Sequence, residues 1–106
     1  MISEHEVLYL IGAISSDPHY REKFADAQMV LEELGYIVIN PCILPANLTY
    51  EQHMKIDLCL VETADVICML PDWKKSPGAK IEKYHAGEEK KRIIRYAGLD
   101  TEKPRW

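Results

Sequence analysis

At 106 residues, 47% hydrophobic and 28% charged, the chain has the size and balance of one soluble globular domain with a real core. A net charge of −4 and the absence of a basic block exclude nonspecific nucleic-acid binding, while no apolar run is long enough to span a bilayer and Met1–Glu6 lacks the basic start of a signal peptide. Three cysteines, Cys42, Cys59 and Cys68, are an odd set without CxxC spacing, which predicts neither a disulfide framework nor a zinc site and suits a reducing cytoplasm.

Glu6–Ile11 is a near-continuous apolar run, the pattern of a strand covered on both faces. The small-residue loop Gly12–Ser16 follows. Asp17 then stands as a helix cap with Pro18 at the first helical position. Tyr20, Phe24, Ala27, Leu31 and Leu34 recur every three or four residues as an amphipathic stripe, and Gly35 marks the stop. Tyr36–Asn40 is a second strand, ended by Pro41. Cys42–Leu48 is irregular, because Pro41 and Pro45 prevent regular pairing.

Thr49 and Gln52 have capping-box spacing, so a second helix starts near Tyr50. Its stripe is Tyr50, Met54, Leu58 and Val61. Asp57 lies on the same arc, either at the edge of the packed face, paired with a neighbour such as Lys55, or pointed into a pocket. Ile56 and Leu60 lie off the stripe and suggest an interface with a second copy.

Ala64–Leu70 is the third strand. Trp73 lies in the loop after it, as a plug on the core edge or as a roof over a pocket. Ser76 caps a third helix, with Pro77 at its first position. Gly78 and Ala79 leave its first turn almost bare, open to a ligand that favours the positive end of a helix. Glu82 stands at helical spacing between Ala79 and Ala86, and helical side chains lean toward the N-terminus, so its carboxylate points back at this turn. The alternative is an ordinary solvated second-turn glutamate. The helix runs to about Lys91. Arg92–Tyr96 is a short fourth strand at an edge, since charges flank it. Residues 97–106 form a tail, in which Leu99–Trp106 holds Pro104 and Trp106 docks on the body or on a second subunit.

The order βαβαβαβ predicts an α/β fold over residues 1–106: a Rossmann- or flavodoxin-like three-layer sandwich with a parallel sheet of four strands, or five. Ligands bind such sheets at the carboxyl edge, near the point where strand order reverses. The loops there are Gly12–Ser16, Pro41–Leu48 and Pro71–Pro77, and the helices carrying Asp57 and Glu82 reach that edge.

Five segments carry a resemblance: Tyr9–Ile14, Gly35–Pro41, Lys55–Leu58, Ala64–Trp73 and Ser76–Ala86. On these the chain resembles the nucleoside 2-deoxyribosyltransferase superfamily, in a branch of small bacterial and phage proteins. It is also similar to the 2′-deoxynucleoside 5′-monophosphate N-glycosidases. The resemblance implies that Glu82 is a nucleophile attacking the anomeric carbon and that Asp57 binds or protonates the departing base. It implies that Tyr9 and Gly12 line the sugar end; Ala13, Ile14, Ser76, Gly78, Ala79 and, read as a roof, Trp73 are the further candidate substrate-binding residues. Ser76 occupies the position that is Ser in the monophosphate hydrolases. With Lys74 and Lys75 nearby, it leans toward a phosphorylated ligand. The hydrolases carry arginine in the first loop, which Ser15-Ser16-Asp17 lacks, and Arg21 is the available substitute. Family members assemble as dimers or larger homo-oligomers.

Breaking an N-glycosidic bond builds positive charge on the sugar. A carboxylate below the ring can capture it while a second acid neutralises the base. The helix dipole is expected to keep Glu82 ionised. The expectation is an enzyme acting on a small (deoxy)nucleoside or its 5′-monophosphate without a cofactor, metal, nucleic acid or membrane partner. The alternative is a module that binds a nucleotide or an ADP-ribose-like ligand without turnover.

Overall fold

Apolar runs bounded by turn residues become strands wherever helices can cover both of their faces. In the computed structural model, which describes residues 6–98, four such strands form one parallel sheet. They are β1 (Val7–Ile11), β2 (Ile37–Ile39), β3 (Val66–Met69) and β4 (Arg92–Arg95), in the order β2-β1-β3-β4. The two central strands are the most apolar: Leu8–Ile11 and all of β3 are buried. β2 and β4 lie at the edges, where Ile37, Arg92 and Arg95 are exposed. The flanking charges thus mark an edge strand, and the sheet has four strands among the described residues.

Side-chain alternation sorts the core into two layers. Leu8 and Leu10 of β1, with Val66 and Cys68 of β3, pack on Phe24, Ala27 and Leu31 of α1 (Tyr20–Glu33). Tyr9, Ile11, Ile67 and Met69 point the other way. There they meet Val61 of α2 (Tyr50–Thr63) and Ala79 and Ala86 of α3 (Pro77–Glu88). One helix covers one face and two cover the other, so the fold is a doubly wound three-layer α/β sandwich. The chain leaves β1 toward β2, then crosses back to β3 on the opposite side. The order therefore reverses at β1, which opens a crevice at the carboxyl edge of the sheet.

Local details differ from the sequence expectation. Each strand is one or more residues shorter than its apolar run. α1 begins at Tyr20, because Asp17 first makes a turn: its carboxylate accepts from the His19 amide at 2.9 Å and its carbonyl from Tyr20 at 3.2 Å. Gly35 does stop α1, with φ at 104°. The amides of Gly35 and Tyr36 return to the carbonyls of Glu32 and Leu31, a Schellman closure. That closure leaves Leu34 56% exposed, outside the stripe. α2 has the full Thr49–Gln52 capping box. On α2, Tyr50 is exposed while Leu60 packs against the core, so only Ile56 of the two off-stripe residues faces solvent. α3 ends at Glu88 rather than near Lys91, closed by a left-handed Lys90. The tail from residue 99, with Trp106, lies outside the described residues. No described helix is long and apolar enough to cross a membrane.

Candidate active site

The three carboxyl-edge loops and the facing sides of α2 and α3 enclose a pocket of about 400 Å³. β1 provides Tyr9 and Leu10, the loop after it Gly12, Ile14 and Ser15, and the loop after β2 Pro41. α2 provides Tyr50, His53, Met54 and Asp57, and α3 with its cap provides Ser76, Pro77, Gly78, Ala79 and Glu82.

Two acids lie on this mostly apolar wall. Asp57 is 5% exposed and Glu82 7%, so neither is the solvated surface acid that spacing alone allows. Asp57 sits one helical turn before Val61, and the packing that buries Val61 turns it inward. Glu82 sits between the buried Ala79 and Ala86, whose small side chains let α3 approach the sheet closely. Among the described residues no lysine or arginine pairs with either acid. The nearest ion-pair partner of Asp57 is His53, with Nδ1 at 3.9 Å from Oδ2, and Lys55 does not pair with it.

Burial therefore dominates the electrostatics. It pushes the Glu82 carboxyl up to about 9, helped by the charge and hydrogen bonding of Asp57 and opposed by the Tyr9 hydroxyl. The dipole of α3 does not keep Glu82 ionised, contrary to the sequence expectation. Its influence fades beyond the first turn, and Glu82 is in the second. Tyr9 is held well above the ordinary tyrosine range by burial, then by Glu82 and Asp57, so it stays neutral. Its hydroxyl and Asp57 Oδ1 are buried without a well-aligned hydrogen-bond partner. Buried polar atoms normally find partners, and Tyr9, Asp57 and Glu82 lie close enough to act on one another, so the three form one polar cluster in the pocket wall.

The N-terminus of α3 forms the opposite rim. Ser76 Oγ accepts from the Ala79 amide at 3.1 Å and the Ser76 carbonyl from Lys80 at 3.1 Å. Pro77 has no N–H, which leaves the Gly78 amide as the first-turn donor open to a ligand. A Cβ on Gly78 would stand 3.2 Å from Met54 Sδ, so a bare backbone keeps α2 and α3 close here.

Of the other residues singled out in the sequence, Gly12 reaches the pocket only by its backbone and the rest lie elsewhere. Gly12 lines the pocket with its backbone, but its missing side chain matters on the other face, where a Cβ would come 2.8 Å from Leu70 Cδ1. Ala13 is buried off the pocket wall. Its amide donates to Asp72 Oδ1 at 3.1 Å and its carbonyl accepts from Lys23 Nζ at 2.7 Å. Lys23 also bonds Asp72 and pairs with Asp17 at 2.9 Å, which ties the loop after β1 to the loop after β3. Trp73 is likewise off the wall: half-buried against the α2–α3 core layer, with Lys74 and Lys83 over its ring at 5.8 and 5.4 Å. Arg21 donates to the Cys42 carbonyl at 3.2 Å and does not line the pocket, nor do Lys74 and Lys75.

His53 and the pocket-facing side of Tyr50 escape a reading of the sequence. The signal for His53 was present as its position four residues before Asp57, one turn earlier on the same helix face. The Lys23–Asp72 tie has no local signal, since its partners are 49 residues apart.

The match that decides the family runs from residue 6 to residue 95, nearly all of the described chain. The chain belongs to the DUF4406 family, a domain of unknown function. No curated protein matches it. Among solved structures, this DUF4406 domain is similar to the CMP N-glycosidase BcmB of Clostridium botulinum. The two are 26% identical, with a TM-score of 0.63 over 85% of this chain and 67% of that one. The four-stranded parallel sheet and its three helices are thus an N-glycosidase-like α/β fold.

Proposed function

We propose that this DUF4406 domain cleaves the N-glycosidic bond of a nucleoside or nucleoside 5′-monophosphate, with Glu82 and Asp57 as the working pair. The observation that carries this reading is the pair itself: two buried carboxyls on facing helices, holding a proton at neutral pH over an apolar pocket. The likeness to a CMP N-glycosidase supports it.

The steps balance around that proton. When a ligand fills the pocket, the proton moves to Asp57, and Glu82 faces the anomeric carbon as a carboxylate. The C–N bond breaks as Asp57 protonates the base and a Glu82 oxygen bonds to the sugar. Water then attacks the same carbon, its proton returns to Asp57, and Glu82 is released. Transfer to a second base would use the same ester. Tyr9, kept neutral, donates to Glu82 and holds it in line. For a 5′-phosphate, the Ser76 hydroxyl and the Gly78 amide at the positive end of α3 are the available donors. Three free thiols suit a reducing cytoplasm. Ile56 on α2 and Ile81 and Tyr84 on α3 are exposed apolar residues on adjacent helices, which supports a homodimer. Light scattering at micromolar concentration checks this: a dimer is expected, and a strict monomer contradicts it.

The test of activity is a panel of nucleosides and 5′-monophosphates, with free base read by liquid chromatography. Release from at least one member is expected. Release from none contradicts the enzyme reading, and strong thermal stabilisation without product would then favour a binding module.

A further inference from the structure

A base leaving from Asp57 must lie along the α2 wall of the pocket. Next to Asp57 on that wall, one turn earlier, is His53. Its side chain is 26% exposed against 7% for Asp57, so His53 is the more open of the two. The 3.9 Å from His53 Nδ1 to Asp57 Oδ2 is too long for a hydrogen bond. One polar atom of a ligand, however, can bridge it. Asp57 Oδ1 and the Tyr9 hydroxyl are buried beside Glu82, which places the polar end of the pocket next to His53.

An imidazole with its proton on Nε2 offers Nδ1 as an acceptor, and Asp57 carrying its proton on Oδ1 toward the base ring keeps Oδ2 as an acceptor. A primary amino group has two hydrogens to give, one to each. An oxo group in the same position turns its lone pairs toward acceptors and leaves all of them unsatisfied, which is costly in a closed site.

Resting on the N-glycosidase reading of the site, we propose that His53 is a specificity-determining residue. Together with Asp57 Oδ2, it accepts from the exocyclic amino group of the base, so the site prefers amino-bearing nucleobases over their oxo counterparts.

The test measures binding without turnover. The probes are carbocyclic cytidine and carbocyclic uridine, whose ring oxygen is replaced by carbon so that the base is not cleaved, with carbocyclic adenosine and inosine as a second pair. Calorimetric affinities are compared for the wild type, His53→Ala and His53→Gln. The wild type is expected to favour the amino member of each pair by about tenfold, the worth of about one well-made hydrogen bond. His53→Ala should reduce this to below about threefold, and His53→Gln, whose amide oxygen can still accept, should restore part of it. A wild type without preference, or one that binds none of the probes, overturns the proposal, as does His53→Ala with an unchanged ratio. Should His53→Ala fail to fold, the decision rests on the wild-type ratio and on His53→Gln, where no shift in the ratio overturns the proposal. These outcomes are independent of catalysis. A preference that collapses in His53→Ala beside a protein that releases no base would uphold the base reader and reject the enzyme.

Discussion

Glu82 shows how one side chain's surroundings set its chemistry. A glutamate in open solvent ionises near 4.5, but burial beside Asp57 pushes this one up to about 9. The folded protein therefore holds a proton on Glu82 that the unfolded chain gives up. Linkage fixes the sign: folding is favoured at low pH, and stability is lost as pH rises from the ordinary glutamate range through about 9. The melting temperature of the wild type should fall between about pH 5 and about pH 9, and Glu82→Gln, which cannot ionise, should fall clearly less. Parallel curves for the two proteins would show that Glu82 carries no such proton. Gly12 makes a second prediction at this scale. Its Cβ would stand 2.8 Å from Leu70 Cδ1 and 3.2 Å from Phe24 Cζ. Overpacking of that kind typically costs about 1–3 kcal/mol, so Gly12→Ala should lower the denaturant midpoint without altering the slope.

At the scale of elements, α1 and α3 close alike with different residues. In both, a left-handed residue sends two amides back to the last-turn carbonyls. α1 uses Gly35, whereas α3 uses Lys90 at φ 58°. A side chain in that region costs about 1–2 kcal/mol relative to glycine, partly offset by glycine's freedom in the unfolded chain. Lys90→Gly should thus raise stability by about 1 kcal/mol in chemical denaturation, and a loss would contradict the reading. The same contrast explains what the sequence could show. Gly35 announces its stop, so the end of α1 is legible; Lys90 announces nothing, and the pattern alone carries α3 too far, to about Lys91. The capping box at Thr49–Gln52 and the Ser76-Pro77 start were legible because the cap chemistry is local. The α1 start was not, because Asp17 spent its carboxylate on a turn. Trp73 and Ala13 belong to motifs whose local pattern says nothing of which side of the loop meets the pocket. The Lys23–Asp72 tie that orients Ala13 is a tertiary contact.

Across the whole molecule, the fold follows from alternation. Two strands apolar on both faces need cover on both, and the reversal of strand order at β1 opens the crevice where Asp57 and Glu82 meet. What the sequence could not give was the depth of that crevice. Burial of the acids, and hence the retained proton, depends on how closely α2 and α3 approach, which Gly78, Ala79 and Ala86 permit only once the helices are docked. The account's central claim is that this buried pair breaks an N-glycosidic bond through Glu82. The most direct test is the rate of cytosine release from CMP by the wild type beside Glu82→Ala, under identical conditions and with folding of both verified by circular dichroism. The account predicts release by the wild type and a loss of about a thousandfold or more in Glu82→Ala, as for removal of a catalytic nucleophile. Release by Glu82→Ala at the wild-type rate would contradict it.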